Sequence, residues 1–488
     1  MITKAKILTI LTILITLFLL SCNKDNYNAT IINFSSGKIT IKNNNDVKID
    51  DNKIYITKNG SYTFAGEGKD VQIVIDCDED VKIILDNVTI NNQDITPIKI
   101  VSSGIVYVEC IGKSVSTIRV TSNDKKNSCI NSEGALDIKG DTLFQLEGHD
   151  CIDIDNELTL SGNIEIFSTG DAIKAEKVTL SSSSLVINTK KDAIQAQEIE
   201  ILSGNYVING ASDKSRGLYS KGNININACN ISIVTTDDGI YAKDTIVIND
   251  GMLSIKTQDD AIHADKEVEI NGGNILIEEC LEGIESGLIS INNGKIDIIS
   301  SNDGVNGAQS DKDSNESADI YINGGEININ ASGDGLDANG SIYIDDGVLF
   351  ISGAHGGNNN AIDFDDELII NGGTIIAAGN NLKAKPPSLK SMQNTIMIIY
   401  GKNQSSSKNI ILYDESNNAL IVANMFKDFD SLIVSSPNIK SNTNYTIGET
   451  ILDNLKDSYL ININVENNSI ITHNQFNISS KITFVWIK

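Results

Sequence analysis

The chain is poor in what most large cores are built from. Its 488 residues hold one tryptophan, four prolines and 5% aromatics, which excludes a core assembled from big rings. Basic residues are scarce as well, 38 against 65 acidic, for a formal charge of −27. That balance makes nucleic acid and anionic membrane surfaces poor partners unless cations or a local basic patch intervene. No C-x-x-C occurs, and Cys77, Cys110, Cys129, Cys151, Cys229 and Cys280 are irregularly spaced. Neither a zinc knuckle nor a disulfide framework can be read from them. With large rings scarce, Ile, Val and Leu must carry the burial, as they do in parallel sheets.

What is present begins with a targeting segment. Lys4 and Lys6 precede an apolar run over 7–20 that is short for a membrane span. The run ends in Leu19-Leu20-Ser21-Cys22 and gives way to polar NKDN. This resembles a bacterial lipoprotein signal, which implies lipidation of Cys22, a membrane anchor, and a site at the cell surface or outer membrane. The alternative is an ordinary secretory peptide with a cysteine in that place by chance. Both imply export, and export permits disulfides. Cys129 and Cys151, 22 residues apart, read as small buried residues on neighbouring repeats.

A repeat dominates the middle of the chain. Asp238-Gly239-Ile240, Asp260-Ala261-Ile262 and Glu282-Gly283-Ile284 say nearly the same thing at steps of 22 residues. Units open at Asp150, Asp171, Asp192, Arg216, Asp238, Asp260, Glu282, Asp303, Asp334 and Asn360, with a weaker one at Ser128. Within them, alternating runs such as TIVIN-DG-MLSIKT and EVEIN-GG-NILIEE read as short strands joined by tight turns. No stretch here has helical period. A unit this short cannot bury its apolar face alone, so units must stack. A propeller blade needs about 40 residues, and the leucine-rich consensus is absent. The expectation is an all-β, right-handed parallel β-helix. Its divisions are a signal (1–22), a tether (23–32), an irregular N-terminal β region (33–127), regular coils (128–381), a connecting loop (382–394) and a C-terminal β segment (395–488) that covers the open end.

Stacked coils turn positions into columns roughly 4.8 Å apart. The second column is small (Cys151, Ala172, Ala193, Gly217, Gly239, Ala261) and the third aliphatic (Ile152, Ile173, Ile194, Leu218, Ile240, Ile262), so both read as buried. The first and fourth columns are expected to face outward, and they are rich in carboxylates. Stacked like charges destabilise a ladder, so something offsets them. One candidate is the turn itself, because Asp accepts hydrogen bonds from nearby backbone N–H groups. The other is Ca2+, which binds oxygens at about 2.3–2.6 Å and so bridges oxygens one coil apart. The calcium reading favours Asp150, Asp153, Asp155 and Asp171, then Glu282, Glu285, Asp303, Asn306, Asp334, Asp337, Asp363 and Asp365. At Asp238 and Asp260 the fourth position is Tyr241 or His263, which favours the turn explanation; His263 reads as solvated.

The repeated DGI-x-A and IN-GG-x-I signals resemble a bacterial carbohydrate-binding β-helix family, described as polygalacturonate-binding and similar in fold to pectate lyases. YITKNGSYTFAGEGKDVQIVID near the start and AAGNNLKAKPPS, NTIMIIY and DSLIVSSPNI near the end resemble that family too. The resemblance spans about residues 33–447, leaving an extra tail. It implies calcium at the acidic corner positions and an acidic polysaccharide, polygalacturonate or pectin-like, as partner. Lys174 and Arg216 depart from the acidic pattern.

A chain of this charge repels a polyuronate unless calcium bridges the two or basic residues meet it. Lys174, Lys191 and Arg216 lie near one corner, either as a ligand-binding strip or paired with Asp171 and Asp192. Tyr219 and Tyr241 stack on adjacent coils, either as a sugar platform or as a plain surface ladder. Catalysis is the less favoured class, and no catalytic residue is assigned. A calcium-dependent lyase needs a base beside the bound uronate, and Arg216 and Lys174 stand away from the best acidic strip. A hydrolase needs a unique carboxylate pair, whereas Asp237-Asp238 and Asp259-Asp260 recur at the coil period. A surface adhesin with structural calcium is the third class.

Overall fold

The computed structural model describes residues 29–488, apart from 44–46, 102–103, 122–126, 310–317, 451–454, 456–457 and 465–469. Cys22, the signal segment and most of the tether therefore lie outside the described residues. Every regular element among the described residues is a strand, and no helix there is long and apolar enough to cross a membrane.

The coil opening at Asp238 shows how the repeat folds. Strands Ile240–Ala242, Thr245–Ile248 and Met252–Lys256 make its three sides. Each pairs in parallel with its counterpart one coil on: Ile240 with Ile262, Ile246 with Val268, Leu253 with Ile275. Alternation sends those aliphatic residues inward, and all are buried. The polar Asn-Asp-Gly, Asn-Gly-Gly and Asn-Asn-Gly turns stack as well. Gly251 and Gly273 have φ of +128° and +94°, and a Cβ on Gly273 would stand 2.9 Å from the Gly251 carbonyl oxygen. Glycine is required there by conformation and by space.

One aliphatic column runs through the coils from Ile98 by way of Ile130, Ile152, Ile173, Ile194, Leu218, Ile240, Ile262, Ile284 and Val305 to Leu336 and Ile362. All of its members are fully buried, each contributing about 1.5–3 kcal/mol before entropy is counted. The parallel β-solenoid expected from the repeat is the observed architecture.

Parallel pairing also reaches back into the 33–127 stretch. Thr30–Ser35 pairs with Gly60–Lys69, and that with Val81–Gln93. Lys53–Ile56 pairs with Gln72–Ile75, and that with Ile98–Ile100. These turns are coils whose joining loops vary in length, which is why no fixed period marks them.

At the other end the strand direction reverses. Thr374–Gly379 pairs antiparallel with Phe429–Ser435, which pairs with Thr395–Gln404. A five-stranded sheet built from segments between Asn409 and Asn477 follows. Phe350 of a late coil packs against Phe426 and Tyr459, with ring centroids 5.0 and 5.2 Å away. The C-terminal segment thus covers the last coil's edge, where bare strands would invite association.

Candidate functional site

The first column does not face outward. Asp150, Asp171, Asp192, Asp238, Asp260, Asp303 and Asp334 are buried, and the reason is a hydrogen bond made between coils. Asp150 Oδ1 accepts from the backbone N–H of Asp171 at 3.0 Å, and Asp171 Oδ1 from that of Asp192 at 3.1 Å. Asp192, Asp260 and Asp303 do the same for Arg216, Glu282 and Asp334 at 3.2, 3.2 and 2.6 Å. Asp334 receives the N–H of Asn360, and Asn360 Oδ1 that of Asn380. The turn explanation expected a nearby donor within the same turn, whereas the donor sits one coil ahead. Each aspartate satisfies an N–H at the tight corner, where the strand ladder is interrupted.

That bond leaves a second carboxylate oxygen per coil, and the corner divides according to what meets it. In the N-terminal part, basic side chains do. Lys174 Nζ lies 2.9 Å from Asp150 Oδ2 and 2.8 Å from Asp171 Oδ2. The ammonium occupies the position expected for calcium among Asp150, Asp153, Asp155 and Asp171. Burial opposes the Lys174 charge, but the two carboxylates outweigh it and raise the pKa. Burial holds the Asp153 carboxyl above its ordinary range, against the pull of Lys174; Asp155 is exposed. Arg216 grips Asp192 with two bonds, Nε to Oδ1 at 3.1 Å and Nη2 to Oδ2 at 2.7 Å. Of the three basic residues expected to meet ligand, Lys191 is the exposed one.

In the middle of the corner, rings replace the cations. Tyr219 and Tyr241 stack at 5.4 Å and 9°, and His263 tilts against Tyr241 at 4.8 Å. The Arg216 guanidinium lies 3.6 Å from the Tyr219 centroid. Both faces of Tyr241 and both of Tyr219 are therefore covered, so neither ring offers a flat face on which a sugar can lie. Sequence reasoning placed the two rings together correctly. It did not register that stacking along the coil axis turns only their edges outward.

The C-terminal part is acidic, with one basic partner, Lys385, on Asp363 at its edge. One oxygen or more from each of Asp303, Asp334 and Asp337 lies within 4.8 Å of the others, and the same holds for Asp260, Glu282 and Glu285. Burial and mutual repulsion push Asp334 up to about 7, although the Asn360 N–H pulls it down. They push Asp337 up to about 6 and Asp260 up to about 9. Asp303 and Glu285 are raised too, burial being the largest cause. Glu282 is held by two amides, Asn302 Nδ2 at 2.9 Å and Asn306 Nδ2 at 2.6 Å. Lys385 pairs with Asp363, and Asp365 is exposed.

The Asp303/Asp334/Asp337 donor set is all oxygen, drawn from two coils, and among the described residues no ammonium or guanidinium forms an ion pair with it. A hard divalent cation fits such a set. Sequence reasoning assigned Asp260 to the turn explanation; it does accept a backbone N–H, that of Glu282, but its burial beside Glu282 and Glu285 appears only once the corner is folded. The same reasoning missed Lys427, whose pKa burial lowers to about 8 and whose ammonium donates to the Ala331 carbonyl.

A family described as "Carbohydrate-binding domain-containing protein" matches residues 50–283 and 282–375. A carbohydrate-binding domain-containing protein of Acetivibrio thermocellus is 27% identical over 158 residues, which is 30% of this chain and 54% of that protein. The chain thus spans about half the length of that relative. Among solved structures, a polysaccharide lyase-like protein from C. thermocellum, determined as a gadolinium derivative, is 18% identical. That match covers 70% of this chain and 94% of the other, at a TM-score of 0.23.

Proposed function

Because the chain belongs to the family of carbohydrate-binding domain-containing proteins, we propose that it binds an acidic polysaccharide of the polygalacturonate type through calcium. The ion is held by Asp303, Asp334 and Asp337, with Glu282, Glu285 and Asp363 on the flanks. Lipidation of Cys22 tethers the exported protein to the membrane, with its solenoid at the cell surface.

The observation that carries this reading is the acidic corner. Lys174 and Arg216 neutralise the same column further back, whereas among the described residues no ammonium or guanidinium pairs with Asp303, Asp334 or Asp337, although Lys385 pairs with neighbouring Asp363. Buried carboxylates brought this close need a positive partner. A divalent ion supplies it and keeps charge to spare for a uronate, which a protein of charge −27 otherwise repels. The sugar's carboxylate would complete the ion's shell, and exposed Lys191 adds a second contact further along the same face. The reading is one of binding, because Lys174 and Arg216, the two bases considered from sequence, are locked in ion pairs.

The test is retention of the purified protein on immobilised polygalacturonate with calcium, after chelation, and after calcium is restored. Retention that is lost and regained supports the proposal. Retention indifferent to chelation, or absent throughout, overturns it. Lys427 gives a lyase reading one point in its favour, since a lysine with pKa near 8 can accept a proton at mildly alkaline pH. Release of unsaturated uronate that disappears in Lys427→Met would replace binding with catalysis.

A further inference from the structure

We propose that Asp238, Asp260 and His263 form a second metal site of different chemistry, one that takes a borderline transition-metal ion such as Zn2+ or Co2+. The three donors come from two adjacent coils. His263 Nδ1 stands 3.9 Å from Asp238 Oδ1 and 3.7 Å from Asp260 Oδ2. All three atoms lie within 4.8 Å of one another.

These separations are too long for hydrogen bonds, which run at about 2.7–3.2 Å. They suit two donors that share an ion. Ligands at about 2.0–2.2 Å in a tetrahedral shell stand about 3.4 Å apart, so a closure of a few tenths of an ångström brings His263 Nδ1 to ligand spacing from each aspartate. The imidazole nitrogen sets its preference. Calcium takes an all-oxygen shell, whereas imidazole suits zinc, cobalt and nickel.

An independent observation concerns Asp238. Asp150, Asp171, Asp192, Asp260, Asp303 and Asp334 each take the backbone N–H of the next coil. Among the described residues, no backbone N–H is set on the Asp238 carboxylate, whose side chain is only 10% exposed and is turned toward His263. The column's usual duty has been given up at this one aspartate. Asp260 keeps both functions, with Oδ1 on the Glu282 N–H and Oδ2 toward His263.

The surroundings orient the ring as they do around metal-bound histidines. Asp265 Oδ1 faces Nε2 at 3.8 Å and is fixed by the Tyr241 hydroxyl at 3.1 Å. Drawn in to hydrogen-bond distance as the site closes, that carboxylate would select the tautomer that leaves Nδ1 free to ligate. Tyr241 packs on one face of the imidazole.

The site is independent of the calcium reading and is tested with calcium present in excess. Co2+ titrated into the full-length protein should give visible ligand-field bands that saturate at one equivalent and are displaced by Zn2+. His263→Gln and Asp238→Asn should abolish the bands, with far-ultraviolet dichroism and polygalacturonate retention unchanged. Asp265→Asn should weaken Co2+ affinity by about 10–100-fold. Absence of bands in the parent protein, or bands that persist in His263→Gln, overturns the site; an imidazolium is then the counter-charge for the two aspartates. Loss of polysaccharide retention with the bands intact would sink the calcium proposal and leave this one standing.

Discussion

The backbone N–H of Asp334 donates to Asp303 Oδ1 at 2.6 Å, so one aspartate serves as structural cap for the next coil and presents its other oxygen to the acidic corner. The two functions separate by substitution. Asp303→Asn keeps an acceptor for the N–H, so it should melt near the parent while losing at least tenfold in calcium affinity. Asp303→Ala strands a buried N–H and should cost a further 1–3 kcal/mol or so. Calorimetric calcium titration alongside denaturant unfolding checks both; equal calcium affinity in Asp303→Asn would remove this residue from the ion.

Stability of the metal-free protein should fall as pH rises. Asp334 and Asp337 are pushed up to about 7 and about 6 when folded, while unfolded carboxyls ionise near 4. Between those values the folded chain holds protons that the unfolded chain has released, so acid favours folding. The contribution is whole below about pH 4 and disappears as pH passes through 6 and 7. In chelator, the parent should lose melting temperature between pH 5 and 8, and the Asp334→Asn/Asp337→Asn variant should lose much less. Calcium should restore the parent at pH 8 and do little at pH 5. Parallel melting profiles for the two proteins would contradict the assignment.

Lys174 acts as a built-in cation. Truncating it to alanine leaves Asp150 and Asp171 buried and facing each other. The loss should be roughly 3 kcal/mol, the low end for a broken buried pair, because the lysine is a third exposed. Millimolar calcium should recover much of that loss in Lys174→Ala and have no such effect at this corner in the parent. Thermal melts with and without the ion decide it; no rescue would mean that two aspartates at this spacing do not suffice for an ion.

The small second column is a packing requirement. A Cβ on Gly239 would lie 2.6 Å from Ile255 Cγ2 and 2.7 Å from the Ala261 carbonyl oxygen. Gly239→Ala should therefore destabilise by about 1–3 kcal/mol, although alanine occupies the same column at Ala172, Ala193 and Ala261. Unchanged unfolding in denaturant would show that the corner can shift to accept it.

Much of this molecule is legible in its sequence, because a short apolar repeat has few ways to hide itself. The 22-residue step, the inward pair of small and aliphatic positions and the Asn-Gly-Gly turns lead directly to stacked parallel coils. Near the N-terminus the same coils carry loops of unequal length. With no period to read, Gly60–Lys69 passed for part of an irregular region, and the first half of Thr30–Ser35 for tether.

The acidic corner divides the same way. Sequence alone determined that a carboxylate returns at all but a few coils, Arg216 and Asn360 being exceptions, since recurrence is a one-dimensional property. Only the folded chain decided what each carboxylate meets: a backbone N–H one coil ahead, the Lys174 ammonium, the His263 ring, or other carboxylates. Some of those partners are three residues away, as Lys174 is from Asp171 and His263 from Asp260. The partners across coils lie 20 or more residues apart, and their distances follow from how the coils stack and twist. Burial likewise belongs to the fold. It turns ordinary aspartates at 260, 334 and 337 into groups that hold their protons or call for a cation.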